Sequence, residues 1–299
     1  MAHTLYTPQQ AARSSLAALR YLTSLPRTVR QDFSEEFVGG RGQVVNIKNP
    51  ITAGASRTYT EANRTARDAI VFDDLGQSTI PVEMKDQVYK AVRLPDNFTT
   101  FTLTSLEREV IVPMAESVVD GVTAPLLAVM NAVATAPTTG AGKVPALLAD
   151  GSNAAQVIIA MRAALNAKKV PFTDRFLALT PAAEAAILSL PQLQKVNESG
   201  SDGVLREATL GRLFGFTIVT DPGLAKSVAY HRDAFAHVTR PSRAPEGAGF
   251  SATVAQDGFA LRYLQHYNPL QLEDQAVCDT FVGAKTLDAN RATAIADPA

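Results

Sequence analysis

Hydrophobic positions are unevenly spread along this chain of 299 residues. After a short strand pattern at residues 43–48, the stretch 49–97 is mostly polar and buries little surface of its own. A second strand pattern at residues 99–106 and a long helix at residues 111–135 follow. Segments that cannot form a core by themselves usually acquire a partner surface from another copy of the chain. The pattern therefore favours a subunit of an assembly.

The first half also predicts local structure on both sides of that polar stretch. Residues 7–22 predict a helical arm that needs an outside surface. Its apolar positions are Ala12, Leu16, Leu19 and Leu22. Residues 79–84 and 88–94 have strand composition, and we interpret them as a long two-stranded flap. An isolated hairpin is marginally stable in water, so the flap is expected to lie on another surface.

The long helix at residues 111–135 carries the strongest core signal in the chain. Pro113 stands in its first turn, where a missing backbone N–H costs nothing. Its apolar stripe comprises Met114, Val118, Val122, Leu126, Met130 and Val133. The stripe follows helical spacing, so we predict that it is buried in the core.

The second half has the mixture of helix and strand patterns that is typical of an α/β domain. Predicted helices cover residues 154–165 and 181–190, and predicted strands cover residues 175–180, 229–239, 258–267 and 276–282. Residues 211–220 predict a loop that leads into a further strand. The stretch after Asn290 has no clear pattern and is expected to be a loose tail.

Composition narrows the class of protein. The formal net charge is −1, so no global charge attracts the chain to nucleic acid or to an anionic membrane. Residues 121–142 are uncharged and long enough to span a bilayer, but proline and polar residues interrupt them, and we interpret them as a buried helix that runs into a loop. The single cysteine, Cys278, excludes an intrachain disulfide and fits a reducing compartment. Arg13 and Arg20 interrupt the only apolar stretch near the start, which argues against a secretory signal.

Candidate catalytic motifs are incomplete. Residues 140–143 (G-A-G-K) hint at a phosphate-binding loop, but Val144 stands where such a loop has Ser or Thr. Residues 231–233 (H-R-D) copy the start of the kinase catalytic loop, but no Asp-Phe-Gly follows. The histidines form no close metal-ligand pair, and Cys278 lies in a predicted strand, where a buried structural thiol is expected. We therefore predict no catalytic activity, no cofactor and no metal site.

Four sequence phrases, taken in order, resemble a known family. They are G-R-G-Q-V-V-N-I-K-N-P at residues 40–50, L-E-R-E-V-I-V-P-M-A-E-S-V-V-D at residues 106–120, F-G-F-T-I-V-T-D-P-G-L at residues 214–224 and V-G-A-K-T-L-D at residues 282–288. In these phrases and their order the chain resembles the major capsid (coat) proteins of tailed bacteriophages, and most of all the short-tailed-phage type. Encapsulin shells and the floor domains of herpesvirus capsids share that fold.

The resemblance implies an α+β architecture, the phage major capsid protein (Johnson) fold. The implied parts are an N-terminal arm (1–42), a first peripheral-domain strand (43–50), an extended loop made by the two-stranded flap (51–98), a peripheral-domain strand with the spine helix (99–138), an axial domain (139–235), and a return to the peripheral domain with a C-terminal tail (236–299). No inserted domain is expected, because only short links stand where some relatives carry one.

The resemblance also implies where copies of the chain would meet. The arm and the flap would lie on adjacent subunits, and residues 197–203 would line the five- and six-fold openings. Charged residues of the extended loop become assembly-interface candidates, with a merely solvated loop as the open alternative. They are Arg57, Glu61, Arg64, Arg67 and Asp68. Some relatives join a lysine of the extended loop to a neighbour's asparagine, which would select Lys85 or Lys90 here. The acceptor would be Asn268 or Asn290.

The implied function is structural. A major capsid protein self-assembles as pentamers and hexamers into an icosahedral shell, here around a double-stranded DNA genome held without sequence-specific contacts. Further implied partners are a scaffolding protein, a portal and a decoration protein, and no membrane is expected. The shell would assemble in the host bacterial cytoplasm and become part of the virion. Two alternatives stay open: an encapsulin-type nanocompartment shell, and a soluble α/β enzyme with a long lid.

Overall fold

The computed structural model describes residues 10–15, 25–31, 44–48, 56–72, 79–97, 107–138, 143–189, 211–243, 245, 250–256 and 259–297. The strand predicted at residues 99–106 and the axial loop predicted at residues 197–203 lie outside the described residues. Most of the predicted N-terminal arm lies outside them as well.

The described residues contain three helices that the sequence predicts and one short helix that was not predicted. They are α1 (Glu61–Ala66), α2 (Val112–Asn131), α3 (Ala154–Ala167) and α4 (Pro181–Leu188), with a further helical segment at residues 10–15. A π-helical turn at Glu107–Ile111 leads into α2, and Pro113 stands at the start of that helix. Thr180 caps α4 by accepting a hydrogen bond from the backbone N–H of Ala183 at 3.3 Å. The long helix and both helices predicted in the second half are confirmed.

The strands form one small sheet and two large ones. They are β1 (Val44–Lys48), β2 (Thr79–Glu83), β3 (Asp86–Pro95), β4 (Arg175–Leu179), β5 (Arg212–Leu213), β6 (Phe216–Thr220), β7 (Val228–His231), β8 (Phe235–Arg240), β9 (Phe250–Gln256), β10 (Phe259–Asn268), β11 (Glu273–Thr286) and β12 (Ala292–Ala294). The first large sheet has the order β3-β11-β10-β9, with β8 also paired to β11, and the second has the order β12-β7-β4-β6-β5. In the second sheet β4 and β6 run parallel.

The long strand β11 organises the first large sheet. It pairs with β10 and β3 along most of its length, and its last residues pair with β8. Its buried Asp279 accepts two hydrogen bonds from Arg262 of β10, at 2.7 and 2.9 Å, and one from Ser242 at 2.6 Å. Gln87 of β3 donates to the same carboxylate. This buried polar network connects three strands and the chain that follows β8.

The two strands predicted to form the flap do not pair with each other. β2 pairs with β1, whereas β3 is a strand of the first large sheet. The reason is that the apolar side chains of the two strands are buried in different hydrophobic clusters. Val82 of β2 is buried in one cluster with Val45 and Val238, while Leu94 of β3 is buried in another cluster with Met114 of α2. The prediction of a two-stranded flap was therefore wrong.

The single strand predicted at residues 229–239 is also corrected. A 3-10 turn at Arg232–Ala234 divides it into β7, in the second large sheet, and β8, in the first. His231 Nδ1 accepts a hydrogen bond from the backbone N–H of Asp233 at 3.2 Å, which caps the turn. Arg291 donates to the Asp233 carboxylate at 3.2 Å. The kinase-like H-R-D phrase is thus the point where the chain passes from one sheet to the other.

Helix α2 connects two hydrophobic cores. Met114, Val118 and Val122 are buried against the first large sheet, whereas Leu126 and Met130 are buried with residues of β7, β8 and β12. The predicted stripe is thereby confirmed, with Val133 half-buried at its end. Residues Glu109–Asn131 are long and apolar enough to cross a membrane by length and composition. Here, however, the apolar face of the helix is buried inside the protein.

Described residues near both ends of the chain pack on its own cores, contrary to prediction. Ala11 and Ala12 are buried in the same cluster as the start of α2, and Leu25 is buried with the end of that helix. These described parts of the arm therefore lie on their own subunit. The predicted loose tail is instead ordered, since β12 pairs with β7 and Ile295 is buried among residues of α3 and α4.

Candidate assembly interface

Residues 56–72 are exposed along nearly their whole length, and we call them the projection. They contain α1, none of whose residues is buried. Asn63 alone within this segment is half-buried, and the other residues are exposed. Hydrophobic burial within its own chain therefore contributes almost nothing to holding the projection in place.

Local hydrogen bonds give the projection its shape. Thr60 accepts a hydrogen bond from the backbone N–H of Asn63 at 3.4 Å, and Asn63 Oδ1 accepts one from the backbone N–H of Thr60 at 3.2 Å. The hydroxyl of Tyr59 donates to the backbone carbonyls of Asn63 and Asp68, at 3.1 and 2.8 Å. Arg67 ends α1 in the left-handed region, with φ of 58°. A segment shaped in this way loses less conformational entropy on binding.

Five of the seven charged interface candidates lie on the projection. Glu61 and Arg64 form an ion pair at 3.4 Å with both side chains highly exposed, and Asp68 accepts a hydrogen bond from a side chain of α1 at 3.0 Å. Arg57 and Arg67 are exposed as well. Exposed ion pairs contribute at most about 1 kcal/mol to stability, so these charges do little for the fold of the chain itself. Their pairing across subunits stays a prediction.

Three apolar residues that the sequence reasoning missed follow these charges. Ile70, Val71 and Phe72 are 68%, 62% and 90% exposed. In a solitary chain such a run is a liability, because exposed apolar groups that lie together promote association. The signal was visible in the sequence, since I-V-F is an apolar triplet within the otherwise polar stretch 49–97.

The two lysine candidates lie outside the projection. Lys85, between β2 and β3, forms an ion pair with Glu83, and this hydrogen bond raises the pKa of the Lys85 amine and lowers that of the Glu83 carboxyl. A protonated amine is a poor nucleophile, which disfavours Lys85 for crosslinking in this arrangement. Lys90 is exposed on β3. The side chain of Asn268 forms hydrogen bonds with residues of the turn after β10. A crosslink between subunits stays a prediction.

An apolar groove lies between β3 and the start of α2. Its volume is about 480 Å³. It is lined by Lys90, Val92, Arg93, Leu94, Pro95, Glu109, Val110, Pro113, Met114 and Ser117. The floor is hydrophobic, and exposed charges of both signs, Lys90, Arg93 and Glu109, lie beside it. Sequence reasoning also missed this groove, because it arises from two segments that meet only in the fold.

Reactive side chains elsewhere are held in unreactive states. Burial raises the pKa of the Cys278 thiol to about 12, so the predicted structural thiol is confirmed. Burial lowers the pKa of His237 to about 4, and its ring lies 3.0 Å from the backbone carbonyl of Val122 in α2. Within the described residues, no group of three or more His, Cys, Asp or Glu side chains is placed to bind a metal ion.

The fold is similar to those of solved capsid structures. A chain from Mycobacterium phage Che8 matches with a TM-score of 0.65 at 16% identity, over 90% of this chain and 89% of that chain. The capsid of cyanophage P-SCSP1u matches with a TM-score of 0.60 at 12% identity, over 86% and 84%. A virus-like particle from Pyrococcus furiosus matches with a TM-score of 0.54 at 10% identity, over 96% and 98%. These likenesses confirm the predicted α+β capsid protein fold.

The family itself is shown by sequence. No curated protein matches this chain, but the profile of a family described as phage capsid protein matches residues 104–280. That range is more than half of the chain and includes α2 and strands of both large sheets. The chain belongs to the phage capsid protein family, and it is a structural capsid protein.

Proposed function

We propose that this chain assembles as pentamers and hexamers into a closed icosahedral shell that encloses a double-stranded DNA genome. The observation that carries the proposal is the projection, considered together with the family. A capsid protein needs surfaces that bind further copies of itself, and residues 56–72 are shaped by local bonds yet bury almost nothing in their own chain. Many modest contacts in a closed shell reinforce one another through multivalency.

The charge of the chain fits a container rather than a specific DNA-binding protein. With a net charge of −1, the wall has little overall attraction for phosphate, so packaged DNA is held loosely and without sequence readout. Assembly in the host bacterial cytoplasm, with a scaffolding protein, a portal and a decoration protein as partners, belongs to the same proposal. The virion as the final location follows from the family.

A nanocompartment shell is the second candidate function. It is favoured by the likeness to the virus-like particle from Pyrococcus furiosus, which extends over 96% of this chain. The two functions share a fold and differ in the contents of the shell. The family match favours the phage shell, and it favours a structural role over the soluble enzyme with a lid.

Electron microscopy with size-exclusion chromatography on the protein expressed alone, and again with candidate scaffold genes, tests the proposal. We expect closed shells, or tubes of uniform diameter, together with particles of the size of a pentamer or hexamer. Nuclease-protected double-stranded DNA in shells made during infection supports the genome container, whereas shells filled with a cargo enzyme support the nanocompartment. A monomer or dimer that never assembles under either condition contradicts both.

A further inference from the structure

The end of helix α3 and the loop that follows it carry charge of one sign. No Asp or Glu occurs between Asp150 and Asp174, whereas three Lys and Arg residues do, and all three of these side chains are exposed. Together with an aromatic residue and a buried arginine they form a surface that we call the basic end of α3. Its members are Arg162, Lys168, Lys169, Phe172 and Arg175. Because the net charge of the chain is −1, this surface is more positive than the protein as a whole.

The buried arginine of this surface is held by neutral groups. Arg175 is 3% exposed. Its guanidinium donates hydrogen bonds to the backbone carbonyls of Val170 and Pro171, both at 2.7 Å, and to the side chain of Asn166 at 2.8 Å. Burial and the neighbouring Arg162 lower the pKa of the guanidinium. Among the residues that the structure describes, no carboxylate forms an ion pair with Arg175, so only neutral dipoles offset its charge.

Phe172 places an exposed aromatic ring over that buried charge. The centre of the ring lies 5.0 Å from the guanidinium carbon of Arg175, which is the geometry of a cation–π interaction. The ring is nonetheless 66% exposed, so most of it is open to a partner. An exposed ring among cations is typical of surfaces that bind nucleic acid, because the cations contact phosphates and the ring contacts sugars or bases.

Two of the exposed cations are also positioned by neutral acceptors. The Arg162 guanidinium donates to the backbone carbonyl of Phe214, at the turn between β5 and β6, at 3.0 Å. The Lys168 amine donates to the backbone carbonyl of Ala292 in β12 at 3.1 Å. These contacts hold the charges in place without neutralising them. Side chains that are already ordered lose less conformational entropy when they bind a ligand.

We infer that the basic end of α3 binds the sugar–phosphate backbone of duplex DNA, as a local contact between the shell wall and the packaged genome. This inference rests on the proposed genome container and names the surface that contacts the DNA. Lys168 and Lys169 would contact phosphates, and Phe172 would pack against a deoxyribose. Backbone contacts carry no sequence information, which agrees with a container that holds its genome without sequence readout.

A duplex fits this surface better than the acidic side chains of a protein partner do. Duplex DNA carries one negative charge for about every 1.7 Å of its axis. Cations at several positions therefore meet phosphates in many registers. The exposed ring of Phe172 also has a partner at each position, because a deoxyribose lies beside every phosphate.

Fluorescence anisotropy of a short labelled duplex with the full-length subunit tests the contact. We expect Lys168→Gln/Lys169→Gln to weaken binding at least about tenfold at about 50 mM NaCl. The slope of log K against log salt should fall by about two, one for each lost phosphate contact. Because Lys168 also bonds to β12, Lys169→Gln is measured alone and should lower the slope by about one. Circular dichroism of each variant confirms that the subunit is folded.

The matched control removes two exposed lysines elsewhere. Lys285, like Lys168, donates to a backbone carbonyl, that of Pro81 at 2.8 Å, and Lys48 is exposed on β1. Lys48→Gln/Lys285→Gln changes the net charge by the same amount as the test variant. It should alter the affinity for the duplex by less than about twofold.

Photo-crosslinking gives an independent readout. p-Benzoylphenylalanine is placed at position 172 or, as a control, at position 89 on β3. Phe172 and Tyr89 are similarly exposed, at 66% and 69%. Irradiation should attach DNA to the chain at position 172 and not at position 89, both with the duplex in solution and in DNA-filled shells.

General attraction between lysines and DNA is the main alternative. Equal losses of affinity in both double variants, or equal crosslinking at both positions, would establish it and overturn the inference. Tighter binding of single-stranded than of duplex DNA would overturn the assignment to the duplex backbone. If Lys168→Gln/Lys169→Gln prevents assembly but leaves DNA affinity unchanged, the surface binds a second copy of the chain and the inference is wrong.

Failure of the inference can be told apart from failure of the proposed function. If DNA-filled shells form without a crosslink at position 172, the inference is wrong and the shell function stands. If the subunit binds the duplex through this surface but never closes into shells, the DNA contact stands and the shell function fails.

Discussion

The projection and helix α2 show two ways in which a segment of this chain is stabilised. α2 is held by tertiary packing, because Met114, Leu126 and Met130 are buried in two cores. The projection is held by caps and turns, and its apolar residues face outward. α2 thus completes the fold of its own subunit, and the contrast supports the proposal that another subunit covers the projection. Substitutions in the two regions should therefore affect different properties.

The largest expected effect is on the buried ion pair of the first large sheet. Asp279→Ala leaves the Arg262 guanidinium, 16% exposed, without its carboxylate partner. We expect the free energy of unfolding to fall by about 3–5 kcal/mol, because an uncompensated buried charge remains. Denaturant unfolding of the subunit measures this.

The matched control for that ion pair lies on the projection. Glu61→Ala removes the exposed ion pair with Arg64, and it should change the free energy of unfolding by less than about 0.5 kcal/mol. Similar losses for Asp279→Ala and Glu61→Ala would show that the projection contributes to the fold of the single chain. That result would contradict the distinction between the projection and the packed core.

A second large effect concerns the contact of β8 with α2. The pKa of His237 is about 4 in the folded chain and about 6.5 when unfolded. Because the folded pKa is the lower one, the unfolded chain binds the extra proton first. Stability is fully present above pH 6.5 and is lost as the pH falls toward 4, by about 3 kcal/mol in total.

The free energy of unfolding, measured at several pH values for the parent protein and for a variant with a neutral residue at position 237, checks this prediction. His237→Gln keeps an N–H that can donate to the Val122 carbonyl, and it should remove most of the pH dependence between 4 and 6.5. An unchanged pH dependence in the variant would assign the effect to other groups.

A smaller effect is expected where α2 crosses β3. A Cβ added at Gly121 would overlap the Val88 Cγ1 atom, so Gly121→Ala introduces overpacking that helix propensity only partly offsets. We expect a net loss of about 1 kcal/mol. The double variant Gly121→Ala with Val88→Ala relieves the overlap, so its loss should be less than the sum of the two single losses. Additive losses would rule out this contact as the cause.

The smallest expected effect on the whole fold is in the projection. Thr60→Ala removes the N-cap of α1 and should cost the local helix about 1 kcal/mol. Global unfolding should stay within about 0.5 kcal/mol of the parent. Amide exchange of residues 61–67 should become faster in the free subunit, and unchanged exchange there would contradict a role for the cap.

Sequence periodicity predicted α2 well because its stripe recurs at one spacing over five turns. Strand pairing was predicted poorly, since the composition of β2 and β3 does not say which strand each one joins. The break at Arg232–Ala234 was missed because neither Pro nor Gly marks it. β12 was missed because Ala-Thr-Ala is too short to give a strand signal. In each case the deciding contacts are distant in sequence.

The interface shows the same limit. Its charges could be read from the stretch that begins at Arg57, because solvated or partner-facing residues are polar. The apolar triplet ending at Phe72 can be seen in the sequence. It was not predicted as part of the interface, because the residues around it are polar. The groove could not be predicted, since it requires β3 and the first turns of α2 to be placed side by side.

Hydrogen–deuterium exchange of assembled shells and of dissociated subunits tests the central claim most directly. The projection, residues 56–72, should exchange rapidly in the free subunit and slowly in the shell, whereas α2 should be protected in both. Exchange of the projection that is equally rapid in both states would contradict its role as the part of the chain that another copy completes.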